Sequence, residues 1–460
     1  MKMKRQSSSR RDRKDDKDRI SDLPDCVLLH IMKFMDTKDA VRTCILSKRW
    51  RDLWKCLTNL TFDSSDFRRV ANFRKFVSRV LSCRDGSISL LNLDFMHHRC
   101  IEPKFLNRVM RYAVLHNVQQ LTIHINLYYR FDFEFRPFIF SCSSLTFLEL
   151  DISCCDPSMI ELPKSLQLPA LQSLLLGFVT FIASDNDCAE PFSACNMLKS
   201  LVLRDCFLHH DAKFLRISNA NLSSLTLNSF FDSFFEVVAC KIVLSTPNLS
   251  SLTIVDYFNL QLSSTCNLSL LKEVDIDTCA HNLVFIKWLQ VLANVKIMTF
   301  AFNTLKIILD DISNPGSIRS QPPCFVRLET LKMKMTPSLR ISDEEVKRIV
   351  EYLLQNSSLD RAEKDWMLAK HLVSLLIEKE RRSGSRSNQI DEAELIDCAE
   401  SAVRRVRYRF IRSVEGRVRG ICEFLWVLGK RVISVELRLW AELPNSLPLA
   451  AVKSLLLDHV

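Results

Sequence analysis

From residue 88 onward the apolar positions recur as apolar-x-x-apolar-x-apolar. The unit starts at Ile88 ("ISLLNL"), Val118 ("VQQLTI"), Leu145 ("LTFLEL"), Leu171 ("LQSLLL"), Leu198 ("LKSLVL"), Leu222 ("LSSLTL"), Leu249 ("LSSLTI"), Leu271 ("LKEVDI"), Val295 ("VKIMTF") and Leu328 ("LETLKM"). One match in a leucine-rich chain means nothing, but ten at intervals near 26 residues predict a solenoid of leucine-rich repeats. Each repeat needs a short strand with alternate side chains in the core, then a turn holding a small buried residue. "LKSLVLRDCFL" supplies that residue as Cys206 and "LKEVDIDTC" as Cys279, both read as small hydrophobes rather than redox groups. The residues between the inward leucines should face the concave side: Phe147, Glu149 and Asp151, then Arg204, then Glu273, Asp275 and Asp277, then Lys332 and Lys334. "EVDID" sets three carboxylates on one strand face, either a lure for a basic partner or, less readily, a hard cation, or simply a solvated face.

Ahead of the repeats the period is helical. Asp22 can cap a first helix with Pro24 in its first turn and Val27, Leu28, Ile31 and Met32 on one face. Thr37 can cap a second helix with Ala40, Val41 and Cys44, and Ser47 a third with Trp50, Leu53 and Trp54. Three short helices bury too little surface to stand alone, so some of these apolar residues should meet a partner. A fourth amphipathic segment uses Phe67, Val70, Phe73, Phe76, Val77 and Val80. Beyond Leu339, Ser342 and Glu345 form a capping box before the stripe Val346, Ile349, Val350, Leu353 and Leu354. Another amphipathic helix is expected over Trp366 to Ile377, then a polar linker and an arginine-rich segment. The expected divisions are a solvated charged tail (1–19), a helical block (20–62), a helical linker (63–87), repeats (88–340), a closing helix (341–358) and a mixed helical and strand tail (359–460).

Composition removes functions more than it adds them. Glycine is scarce, 7 residues in 460, and no phosphate-cradling or nucleophile-elbow glycine motif is found. The 17 cysteines include no CxxC, which disfavours zinc ribbons and RING-type sites. There is no secretory signal and no long apolar run to span a bilayer, so a reduced compartment is expected, nucleus or cytoplasm, with no membrane role. The N-x-[ST] matches at Asn59, Asn221, Asn248, Asn267 and Asn356 are then chance. The net charge of +10 sits mostly in the first nineteen and last hundred residues, so the near-neutral body is not expected to carry a phosphate-binding groove. "RRVRYRFIR", Arg404 to Arg412, interleaves cations and aromatics as single-strand binders do, but it also reads as a half-buried strand. His209 and His210 lack partners at metal-ligand spacing, and Glu344 and Glu345 are first-turn acids favoured by the helix dipole. No catalytic constellation, metal site or cofactor is expected.

The stretch "DRISDLPDCVLLHIMKFMDTKDAVRTCILSKRWRDLW", Asp18 to Trp54, resembles the F-box of plant F-box proteins. "FVSRVLSCRDGS", Phe76 to Ser87, is similar to the segment that joins the F-box to leucine-rich repeats in that group, and "ISDEEVKRIVEYLLQNSSL" more loosely to the end of the repeats in its FBD-type members. Met35, Asp36 and Cys44 depart from the usual leucine, proline and serine. The resemblance implies an α/β chain: a small three-helix F-box, a curved solenoid with parallel strands on its concave face, and a mostly helical C-terminal region. It further implies docking on the Skp-type adaptor of an SCF ubiquitin ligase, and through it on a cullin scaffold. Leu23 and Pro24 would open that contact, Leu28, Ile31 and Val41 extend it, and Trp50 and Leu53 add the third helix, with Trp54 kept for internal packing. The repeats would hold a target protein, with Glu149, Asp151, Arg204, Glu273, Asp275 and Asp277 as candidate contacts. The chain would supply no catalysis of its own. Two alternatives stand: a repeat scaffold outside any ligase, and a nucleic-acid binder using residues 404–419.

Overall fold

The computed structural model describes Ile20 and residues 23–98, 101–127, 137–154, 160–184, 186–231, 240–256, 260–279, 282–313, 325, 327–334 and 342–354. The charged tail, the Trp366 to Ile377 helix and the Arg404 to Arg412 segment lie outside these residues. The chain forms two compact units, Met1–Asp156 and Pro157–Val460.

The first unit opens with three short helices, α1 (Asp25–Met32), α2 (Thr37–Arg42) and α3 (Trp50–Leu53). Leu28, Met32, Ala40, Trp50, Leu53 and Trp54 close a small core. Asp22 lies outside the described residues, and the other two expected caps are not used. Thr37 sits inside α2, buried, and its hydroxyl accepts the Thr61 N–H at 2.8 Å, which ties the helix to the sheet. α3 starts at Trp50, three residues after Ser47, with no side-chain cap. Strand β1 (Asn59–Asp63) then alternates with α4 (Val70–Cys83), β2 (Asn92–His97), α5 (Pro103–Leu115), β3 (Gln120–Leu127) and β4 (Phe147–Cys154). The four strands pair parallel in that order, with Leu60, Leu93, Leu121 and Leu148 in one inward row. Phe95 of the next row packs on Phe73 of α4 and Phe105 of α5, ring centroids 5.6 and 6.2 Å apart. The periodic sheet therefore begins one unit before residue 88. Leu57, Leu60 and Phe62 of "LTNLTF" satisfy the same spacing inside what reads as the end of the helical block.

A buried arginine fastens the helical block to this sheet. Arg84, 5% exposed, donates from Nε to the Leu57 carbonyl at 2.7 Å and from Nη2 to the Ser89 carbonyl at 3.0 Å. Its Nη1 lies 3.4 Å from both the Asp85 carbonyl and the Tyr112 hydroxyl. Around it Asp85 N–H donates to Lys55 O and Leu91 N–H to Thr58 O.

The second unit carries strands β5 (Glu161–Leu162), β6 (Ser173–Gly177), β7 (Thr180–Phe181), β8 (Cys188–Ala189), β9 (Ser200–Leu208), β10 (Phe214–Ser218), β11 (Ser224–Phe231), β12 (Lys241–Ser245), β13 (Ser251–Asp256), β14 (Gln261–Ser264) and β15 (Glu273–Thr278). They are followed by α6 (Asn282–Val291), β16 (Ile297–Ala301), α7 (Phe302–Ser313), β17 (Thr330–Lys334) and α8 (Asp343–Leu354). The main parallel sheet runs β6-β9-β11-β13-β15-β16-β17, and the return segments build a second sheet, β14-β12-β10-β8. Leu174, Leu201, Leu225, Leu252, Val274, Met298 and Leu331 share one inward row.

Three neighbouring strands bend at the same level. Phe178, Asp205 and Ser229 take positive φ of 57°, 49° and 50°, a costly backbone for side-chain-bearing residues. The extra residue shifts the alternation by one, so Cys206 turns inward, wholly buried, with its thiol toward the Leu176 carbonyl at 3.6 Å. The matching expectation for Cys279 is corrected. Cys279 is exposed, and Thr278 occupies the buried place, its N–H donating to Thr304 Oγ1 at 2.9 Å. Two of the apparent glycosylation motifs have a structural reason. The side-chain amide of Asn221 donates to Asn196 O at 2.6 Å and that of Asn248 to Ala220 O at 2.7 Å, each bonding one repeat to the one before.

The capping box at the head of α8 forms as read, with Ser342 N–H donating to Glu345 Oε2 at 2.7 Å and Glu345 N–H to Ser342 Oγ at 3.3 Å. α8 is held on α7 by the Tyr352 hydroxyl, which donates to Asp311 Oδ2 at 3.0 Å. Burial, then the Asp311 carboxylate, raise the Tyr352 pKa above its ordinary 10.0. The proton is thus held more tightly in the folded state, so the bond's contribution is whole below about pH 10 and is lost as pH rises further. Tyr352→Phe should destabilise α8 by about 1 kcal/mol and remove that alkaline dependence, as measured by melting between neutral pH and the alkaline range.

Candidate functional site

The helical block keeps an apolar surface in water. Among the described residues the exposed large apolar side chains are Ile20, Val27, Ile31, Phe34, Ile45, Leu46, Leu115, Met197 and Leu270, and six of these nine lie between positions 20 and 46. Val27, Ile31 and Phe34 follow helical spacing along α1 and its end, while Ile45 and Leu46 follow α2. Phe34 and Ile45 are 79% and 84% exposed, and with their neighbours they concentrate apolar surface on one small block.

The proposed docking residues divide by this criterion. Pro24 and Ile31 are exposed, and Leu23 and Val41 half-buried. Leu28, Trp50 and Leu53 are buried at 0%, 5% and 8%, so in this chain they form the floor of the block rather than its free surface. The division drawn between Trp50 and Trp54 is not one of burial, since Trp54 is 9% exposed. Phe34, Ile45 and Leu46 were not among the expected contacts. Their signal was available in the sequence: they fall off the inward positions of short helices, where an apolar residue has no core to enter.

Two of the cations around Trp50, Arg49 and Lys55, have carboxylate partners. Arg49 pairs with Asp25 at 2.6 Å, with Nε donating to the same carboxylate at 2.7 Å, and its guanidinium donates to the Leu23 carbonyl, which pins the start of α1 to α3. Lys55 pairs with Asp52 at 2.7 Å.

The candidate target contacts fall in separate places. Glu149 and Asp151 point outward from β4, where Glu149 Oε1 meets His124 Nε2 at 2.9 Å. On the same face, burial raises the Asp94 pKa, offset in part by a hydrogen bond from Thr122 and the nearby His124. Arg204 is half-buried on β9, three strands away from β15. The three carboxylates of β15 are not an open acidic face. Lys334 of β17 reaches across β16 to Asp275, Lys332 lies 3.9 Å from Glu273, and Asn303 donates to Asp277 Oδ1 at 3.0 Å. These pairs are exposed, so Asp275→Asn should change stability by less than about 1 kcal/mol, and thermal melting at low and high salt checks this.

The remaining chemistry is structural. Among the described residues no group of three or more His, Cys, Asp or Glu could hold a metal ion, and no helix is long and apolar enough to cross a membrane. His209 Nδ1 lies 2.8 Å from Asp211 Oδ1, which also accepts the Ala183 N–H. Burial pushes the Cys195 thiol up to about 11, leaving it protonated and unreactive at neutral pH.

Comparison with known proteins meets this geometry at both ends. Residues 20–61 match the F-box domain, and residues 106–304 match the repeat family described as "FBD-associated F-box protein At5g56370, LRR repeats". Putative F-box/LRR-repeat protein At4g15060 of Arabidopsis thaliana is 31% identical over 248 residues, covering 53% of this chain and 56% of that protein. Putative F-box/FBD/LRR-repeat protein At1g66300 of the same plant is 30% identical over 213 residues, covering 46% and 45%. F-box/LRR-repeat protein 13, also from Arabidopsis thaliana, is 26% identical over 315 residues, covering 64% and 67%. The chain spans about half the length of the first two relatives. With a helical block that matches the F-box, followed by parallel-strand repeats that match the FBD-associated kind, the chain is similar to plant F-box/LRR-repeat proteins in both parts.

Proposed function

We propose that this F-box protein is the substrate receptor of an SCF-type ubiquitin ligase. The observation that carries the reading is the concentration of exposed apolar side chains on the F-box, from Ile20 to Leu46. A face of that kind is suited to a hydrophobic groove on a partner, and the Skp-type adaptor is the partner an F-box implies. Phe34 and Ile45 would be the anchors, with Val27, Ile31 and Leu46 around them, Leu23, Pro24 and Val41 at the margin, and Leu28, Trp50 and Leu53 supporting from beneath. The cullin scaffold would join through the adaptor. The outward strand faces of the repeats would receive a protein target, with Glu149, Asp151, Arg204 and the ion-paired Glu273, Asp275 and Asp277 among their polar positions. Ubiquitin chemistry would be supplied by the rest of the ligase. Its place of work would be the nucleus or cytoplasm.

The test is capture of purified Skp-type adaptor by the full chain carrying Phe34→Asp together with Ile45→Asp. Loss of at least about a hundredfold in affinity is expected, because truncating or charging central anchors removes most of an interface's energy. The melting temperature should not fall, since both side chains are already in water. Undiminished capture by the double variant would refute the docking assignment.

A further inference from the structure

The near-neutral net charge of the body conceals two oppositely charged faces in the first unit. The outward positions of β1 to β4 include Asp63, Asp94, Glu149 and Asp151 but no Lys or Arg. The other face of this sheet is covered by α4 and α5, and their outer surface is cationic. Lys75 and Arg79 on α4, and Lys104, Arg108 and Arg111 on α5, are all exposed, with Arg68 and Arg69 also exposed just ahead of α4. Among the described residues none of these seven forms an ion pair. Glu102, the acid between the helices, is already taken by Arg74 through bonds of 2.6 and 2.7 Å.

The two helices lie side by side. Besides the Arg74 to Glu102 pair, Arg108 donates to the Ser78 hydroxyl, and the guanidiniums of Arg74 and Arg108 sit over the Phe105 ring at 5.7 and 5.2 Å. Spacings of four, four and three residues put one line of cations along each helix, with steps of roughly 6 Å. Folding alone does not favour this placement. Neither helix has an acid in its first turn or a base in its last, while Arg68, Arg69 and Lys104 stand at the N-terminal ends, where the macrodipole repels them.

We propose that the α4–α5 face binds the phosphate backbone of duplex DNA without reading its bases. A repeating array of anions is what two lines of unpaired cations complement. Single-strand binding calls for aromatic platforms, and here Phe73 and Phe105 are buried, while Phe76 and Tyr112 are half-buried. A protein interface would call for apolar anchors, and Leu115 is the one large apolar side chain strongly exposed on these helices.

The test uses the full chain and a short DNA duplex of arbitrary sequence, followed by fluorescence anisotropy against salt. Five phosphate contacts give a slope of log affinity on log salt of about −4.5, or roughly 500-fold weaker binding on going from 50 to 200 mM. In the variant Lys75→Gln, Arg79→Gln, Lys104→Gln, Arg111→Gln the slope should shrink by about 3.6, with an unchanged or higher melting temperature. A second variant neutralises the nine Lys and Arg of residues 1–19 together with Arg404 to Arg412, and should keep the helix-face slope. If that second variant alone abolishes binding and the helix variant changes nothing, the proposal is wrong. Tighter binding of single-stranded DNA, or equal binding of polyglutamate, would also overturn it, the latter assigning the face to an acidic protein.

Discussion

Replacing Arg84 by methionine should destabilise the first unit by about 3–5 kcal/mol, a large effect for one residue outside any catalytic role. Methionine fills much of the same volume, so the loss isolates the hydrogen bonds. Arg84 is buried and its donors go to the Leu57, Asp85 and Ser89 carbonyls and the Tyr112 hydroxyl, a set with no carboxylate in it. Without the guanidinium the Leu57 carbonyl loses its buried donor, at about 1–3 kcal/mol, and the bonds to Ser89 and Tyr112 are lost as well, while the Asp85 carbonyl keeps the Ile88 N–H. Burial, then the Arg84 charge, lower the pKa of neighbouring His116, which fits a cation held away from water. Arg84→Lys should recover less than half of the loss, because an ammonium cannot span carbonyls placed for a planar fork. Hydrogen exchange at the Asp85 and Leu91 amides, which bond Lys55 and Thr58 across the same junction, is the local readout. Exchange as slow as in the unsubstituted protein would show that the junction holds without the clamp. Fast exchange at both amides is the expected result.

The repeats were legible because their information is local. Each strand announces itself in six residues, and the period needs no knowledge of what packs where. β1 was missed for a related reason: "LTNLTF" follows the helices so closely that the stronger resemblance of "LSKRWRDLW" absorbed it. Cys279 was misread because the bend in β9 adds a residue before Cys206, whereas β15 turns at Thr278. The polar faces were least legible. "EVDID" looks like an acidic patch until Lys332 and Lys334, more than fifty residues later, are brought across β16 to meet it. The cations of α4 and α5 vanish in a sum over the body, because a sum cannot tell that acids and bases leave the same unit on opposite faces. Alternation along a strand predicts which side a residue takes, but not which charge the fold sets beside it.

Trp50→Ala should abolish adaptor capture by unfolding the F-box, not by removing a contact. Trp50 is 5% exposed in a block whose core holds few other large side chains, Leu28, Met32, Leu53 and Trp54 among them. Truncating a buried tryptophan costs about 3–5 kcal/mol, and three short helices have little reserve with which to absorb it. The loss should therefore appear first without any partner, as fast amide exchange in α1 and α3 and early melting of the block. Ile45→Ser is the counterpart: at 84% exposure it should leave exchange and melting untouched while weakening capture by tenfold or more. Saturating adaptor should partly rescue Trp50→Ala, since binding pulls the folded fraction forward, but should not restore the intrinsic affinity of Ile45→Ser. If Trp50→Ala instead keeps the native exchange pattern and still fails to bind, the indole itself reaches the adaptor and its burial in the free chain is relieved on docking.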